Sequence, residues 1–400
     1  MKKFVNSENR LKTFFALLLP LFFSYDFIAK VFYKNEVTRL FYDYAVAFKI
    51  CYIVVGLFLF RKLITYNTKT LYVAFVLGIC YLVNQLLLYD FLDTKNILFN
   101  GYYFLSCFFS VLFIAFISSI KAEVLKKVID FFLIFITLNS IAVLAGFIFE
   151  INIFKTYFRG DRFGYQGFLL YHSEAGYIYF LSLIGYAHKY GKEKKAKYFG
   201  NIILIFFTVF LIGTKKAIFS AVLFLIYFLI ANKHLFKSRL FTFSFLVALA
   251  GIVVVLQNLW DKLLHKFILI YQHQNLVSAL LSYREITLKE HAIPFMTEKW
   301  NFMNYIIGGP LFSSVRVELE LFDIFLFFGI LGVLCYGVIL VKVLKNTNKR
   351  ILHFSTFALL IATLFSGNLV SSMNVMLLYS MMYVFINSND KNFRDISDES

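Results

Sequence analysis

The side chains best suited to chemistry in this sequence are charged groups set against apolar runs. Five are cations: Arg159 and Arg162 in FRGDRFGYQG, Lys215 and Lys216 in LIGTKKAIF, and Arg284 in LLSYREITLKEH. Guanidinium and ammonium groups at the edge of a bilayer are suited to hold a phosphate or diphosphate. The structural alternative is that the lysines snorkel to lipid headgroups and that Arg159, Asp161 and Arg162 form a surface cluster. Five more residues can take or give a proton: His172 and Glu174 in FLLYHSEAGYIYF, and Glu318, Glu320 and Asp323 in VRVELELFDIFLFFGILG. Ionisable groups inside an apolar helix usually face a cavity or a partner, which makes them functional candidates. Glu174 has a structural alternative, an ion pair with Lys215 or Arg162. Glu320 and Asp323 are three apart and share a helix face. The helix dipole stabilises carboxylates in a first turn, but that does not explain an aspartate so close to a run of phenylalanines. No two histidines stand four apart, as two ligands on one helix face would need, so a metal site is unsupported, and no cofactor is expected.

The elements that must position these groups are apolar helices. The chain is 60% hydrophobic and 16% charged, with a mean hydropathy of +0.74. That leaves too little polar surface to cover a soluble globule of 400 residues, so the reading is an integral membrane protein. Three prolines and 53 phenylalanines, without ten-residue alternating segments, point to helices and away from a barrel. The four cysteines (Cys51, Cys80, Cys107, Cys335) fall inside apolar runs and imply no disulfide framework.

Twelve apolar segments can be placed, at about 11–32, 42–60, 70–89, 98–120, 128–149, 168–187, 198–213, 217–231, 240–258, 321–341, 351–368 and 371–387. The predicted fold is therefore all-α, a single polytopic membrane domain over 1–400 with about 12 transmembrane helices. It carries one long extracytoplasmic loop at 259–320 and a polar cytoplasmic tail at 388–400. Asn84, Gln85, Asp130 and Asn139 are expected to make hydrogen bonds between helices.

The net charge of +17 would suit nucleic acid only if the basic residues were gathered on one solvated face. They instead punctuate the gaps between segments. With the N-terminus inside, 24 Lys and Arg fall on the cytoplasmic side, against 9 in the shorter gaps of the other side. The positive-inside rule then puts both termini in the cytoplasm and the long loop outside, and no nucleic-acid partner is expected. The first apolar run lacks a small-residue cleavage site and is read as an uncleaved span.

Three stretches together resemble the bacterial O-antigen and capsular polysaccharide polymerase family (Wzy), which is related to the O-antigen ligases. They are RFGYQGFLLYHSEAGYIYFLSLI, LIGTKKAIFSAVLFLIYF, and SYRE followed after a Gly-Gly turn by VELELFDIFLFFGILG. In the second, Lys215 or Lys216 stands where the family usually has an arginine. The resemblance covers roughly residues 155–340, and the carboxylates near the end of the loop favour a polymerase over a ligase.

What the resemblance implies is a multi-pass protein of the bacterial inner membrane. It would transfer a glycan from undecaprenyl diphosphate to a sugar hydroxyl of another lipid-linked repeat unit, as an inverting, metal-independent glycosyltransferase. The implied partners are that lipid-linked oligosaccharide, membrane lipid and a chain-length regulator protein. Arg159, Arg162, Lys215, Lys216 and Arg284 would hold the diphosphate, and Glu318, Glu320, Asp323, His172 or Glu174 would act as the base. The competing expectations are a ligase-type glycan transferase and a flippase for the same lipid-linked sugars, which would carry charges on several central spans.

Overall fold

A computed structural model describes residues 20–32, 48, 49, 51, 54, 68–87, 94–117, 122–157, 162–232, 257, 267–310, 315–347 and 349–388. Arg159, nearly all of the predicted spans 42–60 and 240–258, and residues 389–400 of the tail lie outside these. The described residues are almost entirely helical and contain no strand, only an isolated bridge between Lys155 and Tyr165.

Among the described residues three helices are long and apolar enough to cross a membrane: Asn96–Phe113, Leu125–Ile148 and Glu320–Lys345. Four shorter ones are also apolar, Tyr72–Leu87, Ala196–Leu211, Arg350–Leu364 and Met373–Asn387. The all-helical class matches the sequence expectation, and the apolar helices are consistent with a membrane protein. Many of the exposed side chains are large and apolar, such as Phe75 at 65% and Ile134 at 59% exposure. A soluble surface would seldom show them so densely, and a lipid-facing one does.

The chain divides into two compact units, Leu133–Ser282 and the combination of Met1–Phe132 with Tyr283–Ser400. The first is called here the central unit, the second the terminal unit. Helix α3 (Ala122–Ile148) contributes to both.

The central unit holds the end of α3, then α4 (His172–Glu193), α5 (Ala196–Leu211), α6 (Lys215–Ala231) and the short α7 (Leu276–Leu281). Helix α4 is its core, with Ala175 through Ala187 all buried. Gly176 lets α6 approach closely, since a methyl there would sit 3.2 Å from the Ala217 amide nitrogen. The connection before α4 is pinned rather than loose. Asn139 of α3 accepts from the Phe168 amide at 2.6 Å and donates to the Gln166 carbonyl and the Tyr179 hydroxyl. The Tyr165 amide bonds the Leu211 carbonyl at 2.7 Å. Asn139 thus makes the kind of interhelical bond its position predicted.

The terminal unit contains the helical residues 20–32, α1 (Thr68–Leu87) and α2 (Thr94–Ile117). The chain returns to it with α8 (Arg284–Thr287), a π turn at Leu288–Ala292, α9 (Ile293–Lys299) and α10 (Phe302–Ile307). It ends with α11 (Glu320–Lys345), α12 (Arg350–Phe365) and α13 (Met373–Ser388). Helices α1 and α11 run antiparallel. The Asn84 side chain donates to the Phe327 carbonyl at 2.5 Å, and Lys342 donates to Thr70 at 3.3 Å. Aromatic rings fill the space between α1, α2 and α11: Tyr81 stacks on Phe104 at 4.2 Å, and Tyr103 meets Phe327 edge-on at 5.0 Å.

Candidate functional site

The terminal unit gathers charged groups on the short segment 315–320 and the first turn of α11. Asp323 is nearly fully buried, and both of its oxygens are occupied. Oδ1 accepts from the Val317 amide at 3.1 Å, and Oδ2 accepts from Arg316 Nε at 3.3 Å. Arg316 reaches on to Asn368 Oδ1 at 2.5 Å and lies over the Tyr103 ring at 5.6 Å. Burial works against the charge on Arg316. The facing Asp323 carboxylate, helped by Tyr103 and Glu318, outweighs it and leaves the guanidinium pKa raised.

Glu320 is equally buried, and its carboxylate grips the turn before α13. It accepts from the amides of Leu369 and Val370 at 2.8 Å each and from Ser371 at 3.1 Å. Three amides converging on one carboxylate make a strong structural clamp. On the other face of this turn, Ser110 of α2 donates to the Val370 carbonyl.

Glu318 is the exposed member of the set. Its side chain is 54% exposed, and Oε2 accepts from Arg284 Nη2 at 2.9 Å. It has a left-handed φ of 59°, uncommon for a residue with a Cβ, and its carbonyl is held by the Gly367 amide at 2.7 Å. Arg284 is itself only 19% exposed at the side chain. The result is two neighbouring guanidinium–carboxylate pairs, one with an exposed carboxylate and one with a buried carboxylate.

The other predicted residues belong to the central unit. Lys215 and Lys216 are the first two residues of α6, capped by Thr214. Lys216 is buried, donates to the Ser173 carbonyl at 2.5 Å and lies 3.8 Å from the Tyr177 ring centre. Lys215 donates to the Ala279 carbonyl and to Ser282 Oγ at 2.9 Å. These ammonium groups are engaged by protein oxygens and an aromatic face, which offsets the unfavourable placing of cations at a helix N-terminus. His172 and Glu174 open α4. The His172 ring lies 5.3 Å from that of Tyr157, over which Arg162 places its guanidinium at 4.3 Å. His172 and Arg162 are both exposed, and the His172 and Tyr157 rings are tilted at 49° to each other.

Comparison of the chain with protein-family models, curated proteins and solved structures returns no match. The functional reading therefore rests on side chains and their geometry.

Sequence reasoning missed three participants. Arg316 stood inside the quoted VRVELE run, and its spacing of seven from Asp323 is a signal that could have found it. Asn368 carries no signal, because a lone asparagine between apolar segments looks like any other turn residue. The third is a buried pair remote in sequence. Lys49 Nζ meets Asp26 at 2.5 and 2.7 Å, and Asn374 donates to the same carboxylate at 3.0 Å. Among the described residues no group of three or more His, Cys, Asp and Glu side chains is placed to share a metal ion.

Proposed function

We propose that this protein is a multi-pass glycan polymerase of the bacterial inner membrane, with about twelve spans and both termini in the cytoplasm. It takes a glycan from undecaprenyl diphosphate and joins it to a hydroxyl of a second lipid-linked repeat unit at the external face. The observation that carries this reading is the Arg284–Glu318 pair, an exposed carboxylate held beside a guanidinium at the mouth of an apolar helix.

The reaction needs a base within reach of the acceptor hydroxyl and cations against the departing diphosphate. Glu318 takes the hydroxyl proton as the oxygen attacks the anomeric carbon. The bond from that carbon to the diphosphate oxygen breaks, and undecaprenyl diphosphate leaves with the electron pair, inverting the centre. Arg284, loosened from Glu318 as the carboxylate takes the proton, turns to the departing charge. Asp323 and Glu320 are committed to Arg316 and to backbone amides, so their part is to fix the segment that carries Glu318.

The test is the pool of lipid-linked sugars in cells carrying Arg284→Ala or Glu318→Gln. The polymerase reading expects single repeat units to accumulate outside and polymer to vanish, and unchanged polymer length and yield overturn it. A flippase is the second reading, favoured by the sealed Asp26–Lys49 pair, because buried intramembrane charges commonly serve transport. That reading expects the units to accumulate inside when Asp26 is neutralised.

A further inference from the structure

Helix α11 is broken. Gly329 has φ 64° and ψ −162°, far from helical values, nine residues after the helix begins. A break inside a spanning helix frees carbonyls that lipid cannot satisfy, so protein must supply donors. Two do so here: the Gly309 amide bonds the Leu326 carbonyl at 2.9 Å, and Asn84 takes the Phe327 carbonyl at 2.5 Å. The donor Gly309 comes from a stretch that hydropathy assigns to the aqueous loop.

The contact is too close for any other residue type. Gly308, at φ 85°, lies against the backbone of Phe327 and Phe328, and Gly329 lies against the carbonyl of Ile306 and the amide of Gly308. A Cβ on either glycine would overlap those atoms.

The depth of this contact follows from helix geometry. At 1.5 Å per residue, 26 residues of α11 measure about 39 Å, against about 30 Å of hydrocarbon. With Lys342 at one boundary, Phe325 and Phe327 lie about 23–26 Å away, so about 4–7 Å inside the opposite boundary. The kink shortens the helix and places them deeper. Residues 308 and 309 lie at that level by direct contact, and Trp300 lies 5.8 Å from the Phe325 ring.

Helix α10 has the matching pattern. Asn304 and Ile307 face inward, while Phe302 is 77% and Met303 46% exposed. Leu321 and Phe322, at the same end of α11, are 52% and 42% exposed in the same manner. Trp300 and Tyr305, paired at 5.2 Å, are the residue types that gather at a membrane interface.

We infer that residues 301–310 form a re-entrant segment, inserted into the leaflet at the Glu320 end of α11, with Phe302 and Met303 against lipid acyl chains. This rests on α11 crossing the bilayer and is independent of the proposed catalytic activity. The predicted loop 259–320 is then not wholly aqueous.

The test uses tryptophan fluorescence in nanodiscs. In a Trp260→Phe, Trp300→Phe background, Phe302→Trp supplies one probe and Glu298→Trp, at an exposed position, another. Phosphatidylcholine brominated near the top of the acyl chain is expected to quench the Phe302→Trp emission at least twofold. Aqueous iodide should quench it several-fold less than Glu298→Trp. Equal access of both probes to iodide overturns the inference. So does a probe at 302 that bromolipid does not quench, even if iodide is excluded, since a protein surface would then be covering it. If the double background fails to fold, Phe302→Trp and Glu298→Trp are each made in Trp260→Phe alone, and the emission each adds over that parent is read with the same expected and overturning results.

Discussion

Four cations beside apolar helices, two in each unit, are held in different ways. In the central unit, Lys215 and Lys216 end on backbone carbonyls, a serine hydroxyl and aromatic faces. In the terminal unit, Arg284 and Arg316 end on carboxylates. A lysine held on a backbone carbonyl acts as a strut, because its charge is fixed against groups that cannot take up or release a proton. An arginine on an exposed carboxylate is a separable pair, and separating it exposes a cation and a base together. Sequence could not tell these apart, because both read as cations bordering an apolar span.

The sharpest contrast within the terminal unit is between Glu320 and Glu318, two residues apart. Replacing Glu320 by Ala leaves three amides without their acceptor, at a cost of about 4–9 kcal/mol if each charged hydrogen bond contributes about 1.5–3. A large fall in detergent-solubilised thermal stability and in yield is the expected result, and full stability would remove Glu320 as the clamp. Glu318→Gln should behave in the reverse sense. Its exposed ion pair contributes at most about 1 kcal/mol, so stability should hold while polymer formation falls about 10²–10⁴-fold, as for loss of a general base. Arg284→Ala should give a loss similar to Glu318→Gln, and the double variant little more. Additive losses would mean that the two act separately.

How much of this was legible follows from the physics of each feature. The helical class was readable because apolar length and the scarcity of proline survive any error in segment ends. Asn84 and Asn139 were readable as interhelical donors because a buried amide must find a partner. The carboxylates near Glu320 stood out in the sequence, but not which is buried and which exposed, since that depends on which amides a distant turn presents. Residues 369–371 lie some fifty positions along the chain, and nothing local announces them. The break at Gly329 was hidden because glycine is common in membrane helices and its φ is set by contact with Gly308. The Asp26–Lys49 pair was hidden for the same reason, as pairing across 23 residues leaves no local periodicity.

The smaller effects test the strut reading of the central unit. Lys216→Met keeps an unbranched apolar side chain but removes the ammonium over Tyr177, leaving the Ser173 carbonyl without this donor. Loss of one charged hydrogen bond of this kind costs about 1–3 kcal/mol, partly recovered because no buried charge then needs solvation. Polymer yield should therefore stay within a few-fold of the parent while stability falls modestly, as measured by thermal unfolding in the same detergent. Lys215 is less buried and makes its contacts nearer the surface, so Lys215→Ala should cost less, about 1 kcal/mol or below. A variant at either lysine that keeps its stability but loses polymer would turn the strut into a ligand-binding cation, and the contrast between the units would collapse.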